Sequence, residues 1–351
     1  MNDKNKKSGA VGKIAAIYVG AVLGAGFASG QEIMIFFAKR GALGIFGAVI
    51  AGILLTVIGG AVCSGAAELE KADYKSYLRS LCSPLVSDII FFIAQAFLGI
   101  SFCIMISGSD ALLHEQLRLP RFFGMGATLA VCALCFWNRL DGIAALNFIL
   151  TPIMVLGMLA ISVRGIAEAQ PAWSAFGAVR DNFAVNALVY TSFNTLTSAA
   201  VLVPSSRLAA SPKEAARGGA AGGLVLAAVL VTCTSALVAI GDAAGRTQFP
   251  LLAAARSTSL GRLYPPVIYM AMLTTAVTSG FSIADFLTSA GLDRRISAIA
   301  VCAAAIPLSL VEFSALIKSF YALFGCLGII LIFGILRKEI KKSRAARQKQ
   351  I

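Results

Sequence analysis

The chain has 351 residues, of which 58% are hydrophobic and only 13% charged. Soluble domains carry about 25% charged residues, so a soluble globular protein is excluded and the chain reads as an all-α polytopic membrane protein. The formal net charge of +13 does not point to nucleic acid. Its Lys and Arg residues gather in the N-terminal MNDKNKK, in short loops and in the C-terminal RKEIKKSRAARQKQ, the pattern expected of cytoplasmic segments.

A membrane span needs ~20 apolar residues. Ten segments qualify, at 12–38, 42–67, 86–113, 121–137, 142–164, 183–204, 219–241, 263–287, 295–311 and 314–336. They are read as helices, because only helices and closed barrels satisfy every backbone group in lipid and these segments do not alternate. The first is too long for a signal peptide and lacks a small-residue cleavage motif, so it is read as a span.

That first span is unusual. From Ile14 to Phe37 it reads IAAIYVGAVLGAGFASGQEIMIFF, with four glycines between Gly20 and Gly30, followed at once by Gln31 and Glu32. Glycine inside a helix costs ~1 kcal/mol relative to alanine, and a carboxylate inside the bilayer costs at least ~2.5 kcal/mol on insertion scales. A helix that merely anchors needs neither. A broken span with a polar centre is how secondary transporters build a substrate site at mid-membrane. Glu32 has three readings: a proton carrier, a cation-binding carboxylate, or a partner for a neighbouring helix.

Most of the eight cysteines lie in apolar runs. Cys132 and Cys135 form a CxxC inside LAVCALCFW, where small buried hydrophobes are the better reading than a metal or redox pair. The single histidine, His114, excludes a histidine metal cluster. Asp110, Glu312 and Lys318 fall near the external ends of spans and read as interfacial.

After span five comes a polar connection, GIAEAQPAWSAFGAVRDN, and span six follows. Its centre holds Tyr190, Thr191, Ser192, Asn194, Thr195, Thr197 and Ser198, with Pro204 beyond. Hydroxyls in a helix can simply bond back to its own carbonyls. Seven polar residues within nine, in the span that opens the second half, favour a site. Span eight reads YMAMLTTAVTSGFSIADFL. Asp285 follows Thr274 by eleven residues, close to three helical turns, so the two share a face. Asp285 sits near the cytoplasmic end, as a snorkelling residue or as part of a cytoplasmic gate.

Lys and Arg place the N-terminus, the 68–85 loop, the 138–141 turn, the 205–218 loop, the 288–295 turn and the C-terminus inside. Spans one to five (12–164) and six to ten (183–336) make halves of similar length, and an odd number of spans per half forces the halves to be inverted. The expected architecture is a single transmembrane domain over 1–351. It comprises ten helices in a 5+5 inverted repeat with helices one and six broken, and a basic cytoplasmic tail over 337–351 that sets topology and touches anionic lipid.

At GAVLGAGFASGQE the sequence resembles the first helix of the YkvI-like family of bacterial membrane proteins, grouped with the amino acid–polyamine–organocation superfamily. More widely it resembles transporters of the leucine-transporter fold. The likeness covers essentially the whole chain in topology and is specific in motif at spans one and eight, with looser support at span six. It implies a substrate held where helices one and six break, at Gly24, Ala25 and Gly26 and at Phe193, Asn194 and Thr195, with Tyr190 beside them. Freed amides in span one would then meet a substrate carboxylate, as helix N-termini do. It also implies a sodium site. Ala271, Thr274 and Thr275 match the spacing of an alanine followed by two hydroxyl residues, and backbone carbonyls near Gly20 and Leu23 complete an all-oxygen set that suits a hard cation. The alternative for these threonines is helix packing. Span six has no glycine at its expected break. Span five, GIAALNFILTPIMVLGMLAISV, has no lysine or arginine, which disfavours the lysine-for-sodium replacement of proton-coupled relatives.

The expected function is a secondary, symporter-like transporter in a bacterial plasma membrane. It would move a small zwitterionic solute, most simply an amino acid, coupled to sodium or protons. The alternative is a membrane nutrient sensor built on the transporter fold, which the short loops and tails disfavour. No nucleophile–base pair points to an enzyme. No cofactor is expected beyond a bound sodium ion, and the expected partners are the solute and the lipid bilayer.

Overall fold

The structure, a computed structural model, describes residues 9–168, 182–241, 250–256, 261, 264–308, 328–338 and 340. Every regular element among them is helical, and six helices are long and apolar enough to cross a membrane. The chain is a multi-pass membrane protein.

The first span is not one helix but three: α1 (Ala10–Val22), α2 (Ala25–Ser29) and α3 (Gln31–Phe36). Leu23 leaves the helix at φ −77°, ψ 63° and Gly24 is extended, which makes the expected break. A second interruption falls at Gly30, whose φ of 86° lies in the left-handed region that a side chain disfavours. Its Cα also faces Leu251 so closely that a Cβ there would stand 2.9 Å from the Leu251 backbone nitrogen.

A 3₁₀ turn over Ala38–Arg40 leads into α4 (Ala42–Ala67). The short α5 (Tyr74–Leu81) is capped by Asp73, which accepts from the Ser76 backbone N–H at 2.9 Å, a cap worth about 1 kcal/mol. Then come α6 (Pro84–Leu117), α7 (Phe123–Trp137) and α8 (Arg139–Glu168). Asp110 in α6 accepts backbone N–H groups from Phe122 at 3.2 Å and Met125 at 3.1 Å. It thus caps the start of α7.

The second half holds α9 (Phe183–Ser205), α10 (Pro212–Ile240), the short α11 (Pro250–Arg256), α12 (Tyr264–Ser289), α13 (Arg294–Leu308) and α14 (328–338). Spans nine and ten are described only over α13 and α14, and Glu312, Lys318 and Cys326 lie outside the described residues, as does most of the basic tail.

One expectation is corrected here. Span six is unbroken: α9 runs as a continuous helix from Phe183 to Ser205. The physical reason is local. No glycine interrupts it, and four of its central polar side chains bond back to its own carbonyls. Thr191 donates to Ala187 (2.8 Å), Asn194 to Tyr190 (2.9 Å), Thr197 to Phe193 (3.2 Å) and Ser198 to Asn194 (2.6 Å), the self-bonding expected of such residues in helices.

Two packed groups emerge. α4 and α10 lie backbone to backbone, with α1 and α9 against them, while α6, α7, α12 and α13 pack together, and α8 touches members of both. Small residues make the first contact so close. Gly219 meets the Gly59 backbone, Gly223 meets the Thr56 backbone, and a Cβ on Gly222 would reach Tyr18 at 2.9 Å. Close approach through small residues is the usual basis of helix association in lipid. On the outer face of α4, Leu43, Phe46, Ile53 and Val57 stand exposed, an apolar stripe suited to acyl chains.

Candidate ion and substrate site

The break after α1 changes what its last carbonyls bond to. In an unbroken helix Gly24 N–H would reach the Gly20 carbonyl. Here it turns to Val22 at 2.8 Å. The Gly20 carbonyl accepts instead from the Thr275 hydroxyl of α12, at 3.1 Å. Among the described residues no backbone N–H is directed at the Leu23 carbonyl. Carbonyls released at a helix end need partners from elsewhere.

The α12 residues converge on the same place. Thr275 lies against Gly20 and also against Gly24 just beyond the break, since a Cβ on Gly24 would stand 3.2 Å from its Oγ1. Thr274 is fully buried, donates to the Ala271 carbonyl at 3.1 Å, and lies 3.3 Å from the position of a Cβ on Gly20. Gly20, Gly24, Ala271, Thr274 and Thr275 are therefore neighbours, with Leu23 buried at the end of α1. The donor types gathered here are neutral oxygens, carbonyl and hydroxyl, in a buried interior. That chemistry suits a hard monovalent cation better than a soft metal.

The residues expected to meet the substrate are more dispersed. Gly26 in α2 faces Glu32 of α3, whose carboxylate lies where a Cβ on Gly26 would be. Glu32 is buried in the first turn of α3 and packs against α2 at Gly26. Tyr190 of α9 is wedged edge-on between Phe36 (5.4 Å) and Phe37 (5.0 Å). Its hydroxyl, like those of Ser192 and Thr195, is buried with no hydrogen-bond partner among the described residues. Phe193 packs edge to face on Phe97 of α6, at 5.4 Å and 86°. Asn194 spends its amide N–H on the Tyr190 carbonyl. Ala25 opens α2, next to the extended Gly24.

Asp285 belongs to a different place. It lines a cavity of about 400 Å³ with Lys71, Lys75 and Arg79 on one side and Gln95, Ser282 and Phe286 on the other. The cavity lies beneath α5, whose Tyr74 hydroxyl donates to the Leu196 carbonyl of α9 at 3.1 Å. Beside it, Lys75 and Arg79 pair with Asp88 at 3.2 and 3.3 Å.

Two residues were passed over in the sequence. Phe97 carries no signal in an apolar span and becomes visible only through its ring contact. Asn147 carries one, an amide inside the otherwise apolar span five. Asn147 is fully buried and reaches Gly20.

No family model matches the chain. It is 26% identical over 348 residues to the uncharacterized membrane protein YkvI of Bacillus subtilis, covering 97% of this chain and 99% of that one. It is 24% identical to the uncharacterized protein YyaD of the same organism, covering 91% and 94%. Among solved structures it is similar to a Na+-coupled sialic acid symporter (TM-score 0.66, 14% identity, 92% of this chain and 78% of that one). It is also similar to MhsT in complex with L-phenylalanine (0.62, 16%, 93% and 87%) and to a manganese transporter of Eremococcus coleocola (0.59, 17%, 94% and 75%). The chain is thus similar over nearly its whole length to YkvI and YyaD and shares its fold, the leucine-transporter fold, with these transporters.

Proposed function

We propose that the protein is a secondary transporter that moves a small zwitterionic solute, an amino acid, together with a sodium ion across a bacterial plasma membrane. The observation that carries the coupling is the Thr275 hydroxyl meeting the released Gly20 carbonyl at 3.1 Å, with Thr274, Ala271 and Leu23 beside it. A cation taken up there would replace that hydrogen bond with oxygen ligands from both helices and join α1 to α12. Affinities for ion and solute would then be linked, each raising the other by the same factor.

The solute class rests on the resemblance at GAVLGAGFASGQE and on a fold shared with MhsT, whose structure was solved with L-phenylalanine. The solute would lie near Gly24, Ala25 and Gly26, across from Phe193, Asn194 and Thr195. Residues 12–164 and 183–336 are read as the two inverted halves, and the tail over 337–351 as cytoplasmic.

Uptake of labelled amino acids into proteoliposomes tests the proposal, with an inward sodium gradient set against an equal potassium gradient. Uptake driven by sodium alone is expected. Sodium-dependent binding of an amino acid without any uptake would instead make the protein a sensor.

A further inference from the structure

Taking the sodium reading above as its premise, we infer that the side-chain oxygen of Asn147 is a further ligand of the same cation, supplied by α8. Asn147 is fully buried inside an apolar helix, where a polar residue calls for a partner. Half of its amide has one: Nδ2 donates to the Ile143 carbonyl at 2.9 Å. That bond fixes which way the amide points. Its Oδ1 therefore faces away from α8, and it has no hydrogen-bond partner among the described residues.

Where Oδ1 points is the substance of the case. It fills the place that a Cβ on Gly20 would occupy, and the Cβ of Thr274 is 3.3 Å from that same place. The unsatisfied oxygen thus stands beside the residue whose carbonyl the helix break has released, and on the side of Gly20 that Thr274 faces. One turn further along α8, Thr151 donates to the Ala16 carbonyl of α1 at 3.2 Å, so the register of α8 on α1 is held by a second polar contact on the same face. An amide oxygen is a hard, neutral donor of the kind that holds alkali and alkaline-earth cations. Being neutral, it offers no site for a coupled proton. Gly20 is then required twice, for its carbonyl and for the absence of a side chain that would displace Asn147.

The test follows the thermal unfolding midpoint of the purified protein against sodium chloride, with choline chloride keeping ionic strength constant. An ion that binds only the folded state stabilises it by RT ln(1 + [Na+]/Kd), so fitting the rise of the midpoint returns Kd, the half-effect concentration of binding. Asn147→Leu keeps the number and branching of side-chain heavy atoms and removes the oxygen; Asn147→Asp keeps the oxygen and adds a charge. The sodium concentration for half-effect should rise roughly tenfold or more in Asn147→Leu and fall roughly tenfold in Asn147→Asp, each tenfold step being ~1.4 kcal/mol. Thr275→Ala serves as the control for the site itself. If Thr275→Ala weakens the sodium response while Asn147→Asp leaves it unchanged, the role of Asn147 is overturned and the sodium site stands. If the parent protein shows no sodium response, both ideas are overturned. Should Asn147→Leu fail to fold, Asn147→Asp decides alone.

Discussion

Thr275 and Gly20 are 255 residues apart in sequence and 3.1 Å apart in space, hydroxyl to carbonyl. The contact exists because α1 ends early: a continuous helix would have used that carbonyl itself. Sequence pattern, helix break and interhelical bond form one chain of cause here.

Thr275→Ala removes one oxygen from the proposed cation. A hydrogen bond to a charged group is worth ~1.5–3 kcal/mol, and a lost ligand is taken to be similar. Sodium affinity is expected to fall by roughly ten- to a hundredfold, with solute binding weakened at low sodium and restored at high sodium. Titrating solute affinity against sodium for parent and variant measures this; parallel curves would show that the hydroxyl only packs.

Gly24→Ala is the gentlest probe of the break. Its new Cβ would stand 3.2 Å from the Thr275 Oγ1 and 3.4 Å from its Cγ2, tight enough to push the side chain aside. The protein should stay folded and monodisperse, with the half-effect concentration of sodium raised roughly three- to tenfold. A larger residue such as leucine would not report on binding, because the space is filled. At Gly26 even alanine meets the Glu32 carboxylate.

Glu32→Gln separates the two coupling ions. Glu32 lies against Gly26, not in the α1–α12 cluster, so the sodium half-effect concentration is expected to stay within about twofold of the parent, a change well under 1 kcal/mol. The decisive measurement is solute affinity against pH in both proteins. Loss of a pH dependence in Glu32→Gln, together with an indifferent Thr275→Ala, would make protons the driving ion.

Reporter fusions test the inverted halves. A fusion in the loop at Trp173 should report the outside, and fusions at either terminus the inside, as the Lys and Arg distribution requires. A cytoplasmic signal from Trp173 would break the assignment of five spans to each half.

Much of the helix plan was legible. Ala42–Ala67 was read to the residue, and the interruption near Gly24 was visible because glycine is costly inside a helix. The second interruption at Gly30 was not, since a left-handed glycine looks in sequence like any other in a glycine-rich run. The unbroken α9 shows the limit from the other side. Polar residues in an apolar span announce either a break or self-bonding, and only geometry tells that Thr191, Asn194, Thr197 and Ser198 chose the second. The spacing of Ala271, Thr274 and Thr275 was readable as a motif. Asn147 was readable as an anomaly, but its orientation depends on how α8 lies on α1, which no single-helix pattern contains.

The glycine-to-backbone packing of α4 on α10, with Tyr18 of α1 filling the gap beside Gly222, has a mechanical consequence. Separating helices packed that closely would break backbone contacts, so a rearrangement that opened a path would cost least along the seam between them and α6, α7, α12 and α13. Gly20 and Thr275 face each other across that seam. An ion held between them would act as a latch, and its departure would let the two bodies part.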